Sequence, residues 1–206
     1  MILVVYAFLP YVVEEVWYRF LQVRNVKYVI NTRVNAVPGQ NIPSVFGAIL
    51  AGTNLTVDPV NRDFSIVIEK IGLNAPIVMG VSVTDPVKYT EALKQGVAQA
   101  LVSDLPSTTP GNVYLFAHTS FNFWDLGKYA TAFNLLRKLE LGDEVNIFYH
   151  GKRFVYKVVN KETLPGWNTY PLTRAVVEPL VTMQTCDPPG TTLNRLVVTA
   201  KLQKVL

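Results

Sequence analysis

Residues 181–202 read Val181-Thr182-Met183-Gln184-Thr185-Cys186-Asp187-Pro188-Pro189-Gly190-Thr191-Thr192-Leu193-Asn194-Arg195-Leu196-Val197-Val198-Thr199-Ala200-Lys201-Leu202. Two apolar, β-branched runs, Val181 to Thr185 and Leu196 to Leu202, flank a Pro-Pro-Gly loop, the pattern of two strands joined by a short connection. The chain's only cysteine closes the first run, and an arginine opens the second. A thiol at a strand end beside a fixed cation can serve as a nucleophile if a base is near. Taken alone, a single cysteine more often fills a structural site. Arg195 taken alone reads as a surface cation or an ion-pair partner, with Asp187 as the candidate carboxylate.

Working outward, the base must come from His118 or His150, since the chain has no other histidine. His118 follows the apolar run Val113 to Ala117 and precedes Thr119-Ser120-Phe121, which puts it at a strand exit, where sites are commonly built. His150 lies in Tyr149-His150-Gly151-Lys152, between the run Val145 to Tyr149 and the alternating run Phe154 to Val159. That pattern predicts an exposed hairpin turn. Further upstream, Phe64 to Ile68 and Ala75 to Val78 read as strands separated by Gly72 and Asn74. Pro86 to Gly96 reads as a helix with proline in its first turn, glycine at its end, and Tyr89, Leu93 and Val97 on one face. Ala130 to Leu139 reads as a second helix. Seven or eight strands with short inserted helices predict a mainly β fold, a closed or nearly closed barrel.

The first 62 residues have a different character. Ile2 to Val13 carries no charge, and its twelve residues are fewer than the roughly 20 needed to span a bilayer. Trp17-Tyr18-Arg19 follows, an aromatic and cationic cluster of the kind found at membrane interfaces. Val13, Trp17 and Leu21 share a helical face, with Val16, Phe20 and Val23 beside it. A clipped transmembrane anchor, an amphipathic helix lying on a membrane and a helix packed on the domain all fit. Pro38-Gly39, Pro43, Gly47, Gly52 and Asp58-Pro59 break any sustained period after that. The chain therefore divides into an N-terminal helix over 1–30, a linker over 31–62 and a main domain over 63–206.

The composition narrows the classes. Half of the 206 residues are hydrophobic and 17% are charged, so the chain can bury a core. The net charge of +4 is shared evenly between residues 1–62 and 63–206, so no basic stripe marks a nucleic-acid partner. One cysteine forms no internal disulfide and supports no multi-cysteine zinc site.

The run from about Phe64 to Leu202 resembles the sortases, cysteine transpeptidases of the bacterial cell surface. Phe64 to Ile68 continuing to Ala75-Pro76-Ile77-Val78 is similar to the family's opening strand pair. Asn112 to His118 resembles its histidine strand. Leu135 and Arg137-Lys138-Leu139 with Gly142-Asp143-Glu144 resemble the segment before its central hairpin. Thr182-Met183-Gln184-Thr185-Cys186 resembles its Thr-Leu-x-Thr-Cys box, and Arg195-Leu196-Val197-Val198 its arginine strand. Three positions depart from the pattern without removing a catalytic group. Met183 replaces the usual Leu, Ala117 stands where many members have Gly, and Glu69 where many have Pro. The short Asp-Pro-Pro-Gly loop after Cys186 is also unlike the longer loop of the housekeeping class.

The resemblance implies an eight-stranded β-barrel in which Cys186 attacks a peptide carbonyl in a sorting signal similar to Leu-Pro-x-Thr-Gly. A thioester forms, and an amine, either a cell-wall precursor or a pilin lysine, resolves it. His118 would act as general acid/base, Arg195 would hold the carbonyl or oxyanion, and Thr185 would help position substrate. No cofactor is implied. The layout implied is an N-terminal anchor in the cell membrane with the catalytic domain facing outside. Two enzyme rivals fit less well. A Gly-Cys-x-Arg type L,D-transpeptidase box needs arginine where Pro188 stands, and a papain-like cysteine opens a helix. A non-catalytic, surface-anchored binding or assembly module on the same barrel is the alternative of a different class.

Overall fold

In a computed structural model the structure describes residues 2–31, 51–117, 129 and 131–206, with side chains from Val12 onward. The order of elements is α1 (Ile2–Val23), β1 (Tyr28–Ile30), β2 (Leu55–Val57), β3 (Phe64–Ile68), β4 (Leu73–Val81), α2 (Pro86–Gln95), β5 (Val97–Ala100) and β6 (Gly111–Phe116). There follow β7 (Glu144–Tyr149), β8 (Lys152–Pro165), a one-turn α3 (Tyr170–Thr173), β9 (Pro179–Asp187) and β10 (Asn194–Val205). Eight strands close a barrel in the order β10-β8-β7-β3-β4-β5-β6-β9. Closure leaves the barrel no open edge. Most neighbours are antiparallel, while β4 with β5 and β6 with β9 run parallel.

Alternation along the strands decides what fills the barrel. Ile66 and Ile68 of β3, Val113 and Leu115 of β6, Ile147 of β7, Val181 and Met183 of β9, and Val198 and Ala200 of β10 are all buried in one cluster. Each large aliphatic side chain taken fully out of water contributes about 1.5–3 kcal/mol. His150 and Gly151, at φ 47° and 78°, make the turn between β7 and β8. Positive φ at both central residues is the type I′ geometry that matches strand twist. His150 is exposed, as its position in the sequence predicts.

Helix α2 starts at Pro86 and stops at Gly96 as its sequence predicts, and Asp85 caps its start. The Asp85 carboxylate accepts from the backbone N–H of Val87 and of Lys88, each at 3.1 Å. Gly96 ends it in extended backbone, where a Cβ would sit 2.2 Å from the Pro76 carbonyl oxygen. Glycine is there for close approach to β4. Val97, read from the sequence as part of the helix face, instead opens β5, because the helix stops where the chain joins the sheet.

One expectation needs correction. The stretch from Ala130 to Leu139 was expected as a helix, but its described residues 131–139 do not form one: residues 131–135 are turns, followed by a single 3-10 turn over Leu136–Lys138. Its apolar residues still reach the core, with Phe133, Leu136 and Leu139 fully buried. The apolar spacing was satisfied by irregular backbone, which periodicity alone does not separate from a helix. Within the stretch read as a linker, Leu55–Val57 pairs in parallel with Tyr28–Ile30, and Leu55 is buried against Leu21 and Val26.

Helix α1 lies on the barrel, but not by the face its spacing picks out. Glu14, Glu15, Tyr18 and Leu21 face inward, while Val13, Val16, Phe20 and Val23 face outward. The Glu14 carboxylate accepts from Thr131 Oγ1 and from Asn134 Nδ2. Glu15 accepts from Lys138 Nζ at 2.7 Å and Arg19 Nε at 2.8 Å. No described helix is long and apolar enough to cross a membrane.

Candidate active site

Strands β6, β9 and β10 form one wall, and their register sets the site. Arg195 lies directly opposite Cys186 in the antiparallel pair of β9 and β10. Side chains at such positions share a face, with their Cβ atoms about 5 Å apart. The sequence distance of nine residues is thereby converted into a cross-strand pairing. Cys186 is half-buried at the end of β9. Just beyond it the Asp187–Pro188 peptide is cis.

Arg195 is held by its own backbone surroundings. Its Nη1 donates to the carbonyl oxygens of Thr192 at 3.2 Å and Asn194 at 3.1 Å. Among the described residues no carboxylate lies within ion-pair distance, Asp187 included. The remaining N–H groups of the guanidinium therefore stay available to an anion or a carbonyl. Gly166 permits this arrangement. Its N–H donates to the Leu193 carbonyl at 2.8 Å, and a Cβ there would meet the Thr192 carbonyl oxygen at 2.3 Å.

Thr185 points the other way along β9 and is buried. Its hydroxyl donates to the Ala117 carbonyl at 2.9 Å, and the Ala117 N–H reaches the Gln184 carbonyl at 3.3 Å. The end of β6 is thus fastened to the residue beside Cys186. His118, one residue beyond Ala117, lies outside the described residues, as do residues 119–128.

Gln184, Tyr114 and Tyr89 lie at the site and were not singled out as site residues from the sequence. Gln184, Thr182 and Cys186 share a face of β9, and the Tyr114 hydroxyl donates to Gln184 Oε1. Tyr89 of α2 stacks on Phe116, with centroids 5.1 Å apart and planes at 12°. Burial pushes the Tyr89 phenol up to about 12; the Cys186 sulfur adds to this and Arg195 opposes it. Tyr89 is therefore a neutral hydroxyl near both groups at physiological pH. Its only mark in the sequence is a place on the apolar face of α2. Below these, Arg174 Nη2 donates to Thr182 Oγ1 and Thr199 Oγ1, at 3.1 and 2.8 Å. Thr182 Oγ1 in turn donates to Asn112 Oδ1 at 2.7 Å. This buried polar network braces the three strands below the thiol.

The closed eight-stranded barrel is an architecture seen in known proteins. The family model described as Sortase domain matches residues 66–203, and this chain belongs to the sortase family. That places it among transpeptidases. Sortase C-1 from Actinomyces oris is similar at 28% identity and a TM-score of 0.59, over 70% of this chain and 76% of that one. Sortase C1 of GBS pilus island 1 is similar at 25% identity and a TM-score of 0.58, over 68% of this chain and 64% of that one. A Clostridium perfringens sortase C, solved with the C-terminal cell wall sorting motif, has 25% identity and a TM-score of 0.55, over 68% and 69%. No curated protein matches the chain.

Proposed function

We propose that the chain is a cysteine transpeptidase acting on a C-terminal sorting signal similar to Leu-Pro-x-Thr-Gly. The observation that carries this reading is the cross-strand pairing of Cys186 with Arg195 in a sortase-family barrel. His118 removes the thiol proton, and the Cys186 sulfur attacks the carbonyl carbon of the scissile bond. Arg195 holds the oxygen as negative charge develops on it, where a fixed guanidinium acts without reorganising. The C–N bond breaks as His118 returns the proton to the leaving amine, and a thioester remains. An incoming amine, from a cell-wall precursor or a pilin lysine, attacks the thioester. It gives its proton to His118 and displaces the sulfur. Thr185 acts as a positioning residue by tying Ala117, next to His118, to β9.

The same reading makes 63–206 the catalytic domain, with 1–30 as its N-terminal helix and 31–62 as the connection. The catalytic domain would face outside the cell, held at the membrane through the N-terminal segment. The outward stripe of Val13, Val16, Phe20 and Val23, with Arg19 and Arg24, supports this. The test is incubation with a panel of sorting-signal peptides and a primary amine, for the wild type and Cys186→Ala. A thioester adduct on the wild type alone, with peptide–amine product, is the expected result; equal turnover by the variant would sink the proposal.

A further inference from the structure

On β9, Gln184 and Cys186 project from the same face, two residues apart, which is about 6.6 Å along the strand. Gln184 has apolar neighbours in register, Phe116 on β6 and Val197 on β10. A half-buried amide between two apolar side chains needs its polar atoms accounted for. Its Oε1 is taken by the Tyr114 hydroxyl. Tyr114 is itself buried, and burial raises its phenol pKa, so that hydroxyl keeps its proton and remains a donor. With the oxygen fixed inward, the amide presents its two N–H groups on the side away from Tyr114. Among the described residues, Gln184 Nε2 has no hydrogen-bond partner.

An extended peptide has a matching period. Backbone groups two residues apart point in the same direction and repeat about every 6.6 Å. If the scissile carbonyl faces Cys186, the carbonyl two residues away faces the same wall at the distance of Gln184.

We infer that Gln184, oriented by Tyr114, is a substrate-binding residue that donates from Nε2 to the peptide backbone carbonyl two residues from the scissile bond. This rests on the peptide-cleaving reading above. The donor recognises backbone, so it fixes the register of the bound signal and tolerates different side chains at that position. Tyr114 acts through Gln184 and is a positioning residue.

The test pairs enzyme variants with altered peptides. Gln184→Leu alone leaves the Tyr114 hydroxyl without its acceptor, so the double variant Tyr114→Phe/Gln184→Leu is measured beside it, with thermal melting to establish folding. Two peptides carry a methylene in place of the carbonyl two residues before or two residues after the scissile bond. For the unaltered peptide, the double variant is expected to raise KM about tenfold, with kcat changed less than threefold. Alkylation of Cys186 by iodoacetamide, which makes no use of Gln184, is expected to stay within twofold. One methylene peptide should lose the same factor with the wild type and nothing further with the double variant. An unchanged KM in a folded double variant overturns the inference alone, as do losses that multiply for both methylene peptides. A wild type that cleaves no signal peptide overturns the peptide-cleaving reading and this inference with it.

Discussion

The wall of β6, β9 and β10 and the seat of α1 on the barrel hold their charged groups by different means. On the wall, position comes from the backbone ladder. Eight consecutive pairs, Asn194 with Asp187 through Lys201 with Leu180, run without a shift, and they set Arg195 opposite Cys186 on β9, with Leu164 of β8 on its other side. Under α1, position comes from side chains. Glu14 and Glu15 reach to Thr131, Asn134 and Lys138, and the seat is loosely filled. A cavity of about 480 Å³ lies on one flank, lined by Trp17, Tyr18, Tyr28 and Lys70, and one of about 240 Å³ on the other. A ladder fixes groups to a fraction of an ångström, as a reacting centre requires. A side-chain seat tolerates voids and alternative packing, which suits attachment more than chemistry.

The comparison can be broken first at the wall. Cys186→Ala is expected to abolish thioester formation, with a fall in peptide turnover of at least about a thousandfold. Its melting temperature should stay within about 2 °C of the wild type, because the ladder does not depend on the thiol. Mass spectrometry of the enzyme–peptide mixture and a thermal melt check both parts. Gly166→Ala comes next. Its Cβ would collide with the Thr192 carbonyl, one of the two acceptors that hold Arg195. A loss of about tenfold or more in kcat/KM, with about 2 kcal/mol of stability, is expected from steady-state kinetics and denaturant unfolding. Lost stability without lost turnover would show that Arg195 does not rely on that loop.

The α1 seat should respond to pH. Burial raises the Glu14 pKa, only partly offset by hydrogen bonds from Thr131 and Asn134. The folded state therefore holds a proton more tightly than the unfolded chain, and this group lowers stability as pH rises from the ordinary glutamate value through its raised one. For Glu15, desolvation pushes upward, but Lys138 and Arg19 together hold its carboxyl below the ordinary value. Its contribution is present above the ordinary value and is lost as pH falls through the lowered one. Glu14→Gln should thus raise the melting temperature at pH 7 by about 2 °C and flatten the pH profile, whereas Glu15→Gln should lower it by a similar amount. Melts from pH 3 to 8 decide this, and a destabilised Glu14→Gln at pH 7 would reverse the account. The smallest effect is expected on the outward face of α1. Val23→Ser changes a residue that is 84% exposed, and should shift stability by less than about 0.5 kcal/mol in denaturant unfolding.

Much of this was legible in the chain. Phe64 to Ile68 has the bounds of β3, and Pro86 with Gly96 marked α2 to within a residue, because helix punctuation and alternation are local signals. The segment 131–138 was not legible. Apolar Leu135, Leu136 and Leu139 read as a helix, and only contact with the barrel and with Glu14 and Glu15 decided its irregular path. The inward face of α1 was missed for a related reason. Nothing local marks Glu14 and Glu15 for the inward face; Thr131, Asn134 and Lys138 are brought to them from more than a hundred residues away.

By itself the sequence determined the strand-rich barrel, the nucleophile candidate Cys186 and its cation Arg195, since these depend on residue type and on spacing within one hairpin-like unit. Tertiary structure alone decided the rest. The parallel register of β6 with β9 joined Tyr114 to Gln184 and Ala117 to Thr185, seventy and sixty-eight positions apart. The close of α2 on the barrel brought Tyr89 onto Phe116. Pairings at such separation are set by strand order and register, which arise when the whole barrel closes and which no local stretch of sequence carries.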